Sequence, residues 1–361
     1  MFNFKDLKIK NKLSKDIAID LGTSSVIVYV EGEGIVLQEP SVVAVDTNTD
    51  TIVKIGKEAH AMIGRSPSHI KVIRPLKEGV ISEYAITQKM IQFYVRRACG
   101  NAVFHPRVVI CIPTGVTEVE TRAVLDAGTH AGARKTYLVD EPVAAALGAG
   151  LDVSQPTGRM IVDIGGGTTD VAVISLGGIV VSETSSVAGD RFDEAIMQYV
   201  RRKHNMNIGA STAEQIKIRI GAVYKPEQYG IKPMDVKGRC LLSGLPKVIT
   251  LSPVEMLEAM MEPISAVLDC ICSVIEKTPP DLVGDILRDG IVMTGGGSML
   301  RGFDKLIEDV TGVKTRVAKE PMLCVAKGTG ALLKQLDGVS GDKIDLSKRK
   351  MGQSAQKLRR P

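Results

Sequence analysis

Apolar positions in this chain fall into short runs, each closed by glycine or a charged residue, with helix-period segments between them. "IAIDL" (17–21) is interrupted only by Asp20, turns through "GTSS", and resumes as "VIVYV" (26–30). Such a pattern predicts two strands joined by a Gly turn. "EGEG" and a third strand follow. "RVVICIP" and "KTYLVD" read as strands, "TEVETRAVLDAGTHAGA" as a helix, and "EPVAAALGAG" as a small-residue helix with Pro142 in its first turn. "DGIVMTGGGSML" is a strand predicted to run into the helix "LRGFDKLIEDVTG". From 182 to 251, the helices "RFDEAIMQYVRRKHN" and "STAEQIKIRIGA" alternate with short strands bounded by Pro and Gly, which reads as an insertion. Alternating strands and helices predict an α/β fold.

The same plan occurs twice. "IAIDLGTSSVIVYV" (17–30) and "IVDIGGGTTDVAVIS" (161–175) each give an apolar strand, an Asp, a Gly-rich turn with hydroxyls and an alternating strand. Two copies, with Asp20 and Asp163 at matching places, imply two related halves. A hairpin needs one or two glycines, whereas Gly165, Gly166 and Gly167 leave a ladder of bare N–H groups beside hydroxyls. A third cluster, Gly295, Gly296 and Gly297, precedes Ser298. Three such turns at strand ends suit two halves gripping a polyphosphate through backbone donors. There is no GxxxxGK[ST], and no GxGxxG opens a helix after the first strand, so a Walker loop and hydride chemistry are set aside.

Composition narrows this further. At 361 residues the chain exceeds one ordinary core, so two domains are expected. No apolar run reaches the roughly 18–20 residues of a membrane span, and the N-terminus lacks a signal-peptide core, so the folded part is expected in the cytoplasm. Six cysteines without a CxxC pair and five histidines without HExxH indicate neither a disulfide framework nor a protein-built zinc site. A metal is expected to arrive with a ligand. Net charge +5 with 4% aromatics and no Trp is a poor composition for stacking on nucleic acid, and none is expected as a partner. Much of the basic excess lies in the flanks, read as a basic N-terminal segment (1–14) and a basic C-terminal tail (340–361).

Asp20-Leu-Gly-Thr23, Asp163-Ile-Gly-Gly-Gly-Thr168, Glu141-Pro-Val-Ala-Ala-Ala and Thr294-Gly-Gly-Gly-Ser298 together resemble the actin, heat-shock-chaperone and sugar-kinase superfamily. Within it, "EPSVVAV", "TAEQIK", "LSGLPK", "EKTPPDLVGDILRDGIVMTGGGSMLRG" and "VAKGTGALL" look like the MreB family of bacterial actins, in order from about 15 to 336. The resemblance implies an actin-like ATPase fold, two duplicated α/β domains with inserted subdomains around a nucleotide cleft. Its subdomains would be IA (15–32, 67–144 and 322–339), IB (33–66), IIA (145–181 and 252–321) and IIB (182–251). It implies a slow ATPase, using ATP or GTP with Mg²⁺, that forms homopolymers of paired protofilaments. Such filaments would lie at the inner face of the cytoplasmic membrane and organise cell-wall elongation proteins to set rod shape.

Site roles follow on the same footing. Asp20 and Asp163 would hold Mg²⁺ through its waters. Thr23, Ser24 and Ser25 in the first loop, and Gly165, Gly166, Gly167 and Thr168 in the second, would donate to phosphates. Gly295, Gly296, Gly297 and Ser298 would floor the site near the α-phosphate and adenine. Glu214 and Lys217, three apart on one helix face with Gln215 beside them, would contact ribose and base, or simply form a surface salt pair. Glu141 would orient the attacking water, with Thr168 and Asp170 nearby, or only favour a helix N-terminus. Four positions depart from the family pattern: Ser24-Ser25 replaces Ala-Asn, Asp140 precedes Glu141 where Glu is usual, and position 170 is Asp rather than Glu. Val103 and Phe104, in "GNAVFHP", would insert into lipid or be buried at a strand entrance. Phe2, Phe4, Leu7, Ile9 and Leu13 make only a weakly amphipathic helix, though its lysines would favour an anionic surface. A monomeric chaperone-like or sugar-kinase-like ATPase is the competing class. For that class neither a peptide-binding half nor a sugar pocket is expected, and "VYKPEQYGIKP" (223–233) carries no functional signal.

Overall fold

A computed structural model describes residues 15–100, 105–337, 339 and 341–346. The chain divides into two compact units, one holding residues up to Met62, Ser66–Gly150 and from Val325 onward, the other Ile63–Arg65 and Leu151–Cys324.

In the first unit, β1 (Ile17–Leu21), β2 (Ser25–Val30) and β3 (Gly34–Pro40) form an antiparallel meander. The chain then leaves this sheet. β4 (Val43–Asp46), β5 (Thr51–Ile55) and β6 (Ile70–Ile73) make a separate three-stranded sheet with the short helix α1 (Lys57–His60), and β7 (Leu76–Lys77) pairs with β8 (Val80–Ile81). After α2 (Tyr84–Cys99) the chain returns through β9 (Arg107–Ile112), α3 (Glu118–His130), β10 (Lys135–Asp140) and α4 (Glu141–Gly148). β9 joins β1 in parallel and β10 joins β9, giving the order β10-β9-β1-β2-β3. All five residues of β1 are buried, as expected of a central strand covered on both faces. A capping box, Thr117 with Glu120, starts α3 by satisfying two orphan N–H groups, worth about 1 kcal/mol.

The second unit repeats this topology. β11 (Arg159–Ile164), β12 (Thr169–Ser175) and β13 (Gly178–Ser185) form the meander. α5 (Gly189–His204), β14 (Met206–Asn207), α6 (Ala210–Ile220), β15 (Met234–Cys240) and β16 (Pro246–Leu251) are the inserted part, with their own three-stranded sheet. The long α7 (Pro253–Lys277), again opened by a capping box, leads to α8 (Pro280–Asp289), β17 (Ile291–Thr294), α9 (Phe303–Thr311) and β18 (Thr315–Val317). β17 lies parallel to β11 and β18 to β17, so the order β13-β12-β11-β17-β18 matches the first sheet strand for strand. α10 (Cys324–Leu333) returns to the first unit, where Gly328 lies against α4. A Cβ on Gly328 would fall 1.8 Å from the Ala144 carbonyl oxygen. That approach accounts for the small-residue composition of both helices.

At five places the elements run across or away from the boundaries read in the sequence. Segment 33–66 was expected apart from the main sheet, yet β3 pairs along β2, because the Glu31–Gly34 turn folds it straight back. Conversely, β6 lies beyond 66 but pairs with β4. A division at 144/145 would cut α4, which continues to Gly148 in the first unit. β13 runs through 182 to Ser185 because its ladder with β12 persists to Thr169. The Gly295 cluster leads into one 3-10 turn (297–299), and α9 starts only at Phe303.

Candidate functional site

The two repeated turns have one geometry. Gly22 N–H donates to Ser25 O at 3.1 Å, and Gly165 N–H donates to Thr168 O at 2.9 Å. A Cβ would sit 2.9 Å from Ser25 O at the first glycine and 3.2 Å from Thr168 O at the second, so each turn excludes side chains. In the first loop Thr23 Oγ1 accepts from the Gly79 N–H at 3.2 Å and keeps its own proton to donate. Arg74 Nη1 stands 3.4 Å from Ser24 Oγ and 3.5 Å from Thr23 O, which places a cation beside this loop. Arg74 was missed in the sequence, where "IRPLKEG" carries no recognised phosphate signal. Ser25 starts β2 opposite Pro40.

Both aspartates are buried beneath their turns. Asp20 is 8% exposed, and burial pushes its carboxyl up to about 7, opposed only by the Cys111 thiol, whose Sγ lies 3.5 Å from Oδ1. Cys111, held on β9, has its own thiol pushed well up by burial and by the charges of Asp20 and Glu141. Asp163 is 3% exposed and accepts from Thr294 Oγ1 at 2.6 Å. The register places Thr184, Asp170, Asp163 and Thr294 opposite one another across β13, β12, β11 and β17. Cross-strand partners share a sheet face. The sheet therefore carries a polar row in which Thr184 donates to Asp170 at 2.7 Å and Thr294 to Asp163. Thr294→Val should lower stability by about 1 kcal/mol, since it removes one hydrogen bond to a buried carboxyl, and urea unfolding checks this.

In the second unit the glycine turn abuts α5, whose Gly189 and Asp190 N–H groups donate to Gly165 O and Gly166 O at 3.2 and 2.8 Å. Thr168 is buried at the end of this turn. Lys217 reaches the same place: its Nζ donates to Gly189 O at 2.8 Å and to Asp193 Oδ2 at 2.9 Å. It thus bonds across to α5 as well as sharing a face of α6 with Glu214, which is half-buried beside the exposed Gln215. Burial raises the Asp193 carboxyl to about 6 against the pull of Lys217. Asp193 was not anticipated, because only helix packing brings it to Lys217. Gly295 has φ +79°, and a Cβ there would meet Ile164 O at 2.3 Å and Asp163 Oδ1 at 2.9 Å, so the third cluster packs directly on the Asp163 turn. Gly296 is exposed, Gly297 lies against Ile164, and buried Ser298 donates to Gly295 O at 2.7 Å.

Glu141 is the first residue of α4, half-buried, with Asp140 as the N-cap. Val103 and Phe104, and the apolar positions of the N-terminal segment, lie outside the described residues. No helix among the described residues is long and apolar enough to cross a membrane. No group of three or more His, Cys, Asp or Glu among them forms a metal cluster. Each unit thus offers one buried carboxyl beneath its turn, that of Asp20 pushed up by burial, and a hard oxygen donor of this kind suits a cation that brings most of its own oxygen ligands.

A family model described as MreB/Mbl protein matches residues 14–341. The chain belongs to the MreB/Mbl family. It is 45% identical over 341 residues to the cell shape-determining protein MreB of Escherichia coli K12, covering 93% of this chain and 98% of the relative. Its identity to the cell shape-determining protein Mbl of Bacillus subtilis is 43% over 332 residues, covering 92% and 99%. Among solved structures it is similar to MreB5 of Spiroplasma citri bound to ADP, at 37% identity and TM-score 0.86, covering 90% of this chain and 98% of that one. A MamK double helical filament, 21% identical with TM-score 0.76, shares the actin-like fold. Membership of this family accounts for the two duplicated sheets and their matching turns.

Proposed function

We propose that this chain is a nucleotide-driven filament protein of the rod-shape cytoskeleton, binding ATP with Mg²⁺ and hydrolysing it slowly. The observation that carries this reading is the duplicated turn: a buried Asp followed by a side-chain-excluding Gly loop, at the same place in two sheets of identical order. Similarity to Spiroplasma citri MreB5 bound to ADP and to AMPPNP supports the adenine nucleotide.

Backbone N–H groups and hydroxyls of Thr23, Ser24, Ser25, Gly165, Gly166, Gly167 and Thr168 would bind phosphate oxygens, with Arg74 adding positive charge at the first loop. Asp20 and Asp163 would hold Mg²⁺ through water. Bound Mg²⁺ neutralises phosphate charge. Glu214, Gln215 and Lys217 would face ribose and base, and Gly295 to Ser298 the α-phosphate and adenine. Glu141 would accept a hydrogen bond from the attacking water, with Thr168 and Asp170 nearby. Phosphoryl transfer asks a protein mainly for positioning and charge stabilisation, so one such carboxylate suffices.

Filaments would bind the inner membrane surface through Val103 and Phe104 and engage cell-wall elongation proteins there. Sedimentation tests the reading: the protein should pellet on addition of Mg-ATP and should not phosphorylate added sugars. With anionic liposomes, the polymer should co-sediment far better than the monomer, since many weak anchors act together. Val103→Ser combined with Phe104→Ser should reduce that binding, deletion of residues 1–13 should reduce it further, and salt should weaken it. A folded, polymerising double mutant that binds like wild type removes the loop as anchor.

A further inference from the structure

Beyond the span matched by the family model, the chain adds a short strap to the first unit. Leu138 N–H donates to Asp342 O at 2.7 Å, and Ile344 N–H donates to Leu138 O at 2.8 Å, which is parallel pairing onto β10. Ile344 is 4% exposed, so the strap is also packed down by its side chain. Between these two anchors, Lys343 Nζ lies 2.6 Å from Asp140 Oδ1. Arg107 Nη1 holds Asp337 at 2.6 Å at the approach to the strap.

Asp140 is the N-cap of α4, and Glu141 is the first helical residue. An Asp at this position ordinarily turns its carboxylate to the helix and accepts from the N2 or N3 N–H. Here Pro142 at N2 has no N–H, and Asp140 makes no side-chain cap bond. Its carboxylate is bound to the strap instead. Lys343 therefore does two things at the β10–α4 junction: it draws the Asp140 side chain away from the helix end, and it cancels a negative charge next to Glu141.

We propose that the strap is a positioning device for Glu141, with Lys343 acting through Asp140. This rests on the reading of Glu141 as the water-orienting group. Losing Lys343 would leave an uncompensated carboxylate beside the place where phosphate charge develops and would free Asp140 to compete for the α4 N-terminus. Both effects slow turnover.

Lys343 is about half exposed, and pairs of that kind have modest worth. Lys343→Ala should accordingly lower kcat for ATP by about two- to fivefold. KM should stay within about twofold of wild type, and Lys343→Arg should restore kcat. A chain of residues 1–340 should lose at least as much. In an Asp140→Asn background, Lys343→Ala should have no further effect on kcat. Without any nucleotide, the Leu138 amide, which the strap protects directly, should exchange with solvent faster in Lys343→Ala and in the shortened chain than in wild type, and the Val143 amide more slowly, because the released Asp140 carboxylate can then accept from it. Wild-type kcat and wild-type Val143 exchange in both folded variants would overturn the proposal, as would an undiminished effect of Lys343→Ala in Asp140→Asn. Were the wild-type protein to hydrolyse no ATP, the ATPase reading would fail alone, and amide exchange would still decide whether the strap governs the junction.

Discussion

Asp163→Ala is expected to abolish Mg²⁺-dependent nucleotide binding, lowering affinity by at least about a hundredfold, or about 3 kcal/mol. Asp163 is 3% exposed at the end of β11, oriented by the Thr294 hydroxyl and set opposite Asp170 in the polar row. A triphosphate carries several negative charges, and removing the carboxylate proposed to anchor its cation would leave them uncompensated next to Asp170. Misfolding is a poor rival explanation. Two carboxyls facing each other in a buried row repel when both are charged, so Asp163→Asn should leave the nucleotide-free protein at least as stable as wild type. Equilibrium nucleotide binding with and without Mg²⁺, alongside thermal unfolding of both variants, separates the effects. Wild-type turnover in Asp163→Ala would remove Asp163 from the site.

Glu141→Ala should show the complementary defect. Nucleotide should still bind and filaments should still form, while kcat falls by at least about tenfold, the pattern of a group that acts mainly in the transition state. An acidic residue in the first turn of a helix also interacts favourably with the helix dipole, worth about 0.3–1 kcal/mol, so a small loss of stability is expected in parallel. Single-turnover phosphate release compared with nucleotide affinity makes the distinction. If binding falls as far as turnover, Glu141 serves the helix rather than the reaction.

Much of this could be read from residues close in sequence. The runs around Asp20 and Asp163 predict strand, turn and strand because alternation and glycine act over a few residues, and both hairpins formed as the pattern required. The helix within "TEVETRAVLDAGTHAGA" and the one with Pro142 in its first turn were similarly legible from local pattern. The strand before the third glycine cluster was also visible, but its continuation was not. Gly295 at φ +79° turns the chain into a short 3-10 segment before α9 can start, a conformation open to glycine, and a Cβ there would fall 2.3 Å from Ile164 O.

By itself, then, the sequence determined the element types, the duplication and the chemical character of the turns, because periodicity, glycine and buried aspartate are local signals. Tertiary structure alone decided which distant groups complete each loop. Arg74 reaches Ser24 through the path taken by the inserted sheet, and Thr294 meets Asp163 because β17 is the parallel neighbour of β11. Lys217 crosses to Asp193 because α6 packs on α5, and Lys343 meets Asp140 because the strap adds to β10. Nothing near these residues in the chain encodes those encounters. They follow from strand order and helix packing, where one register among many is selected by burying the whole apolar face of each sheet.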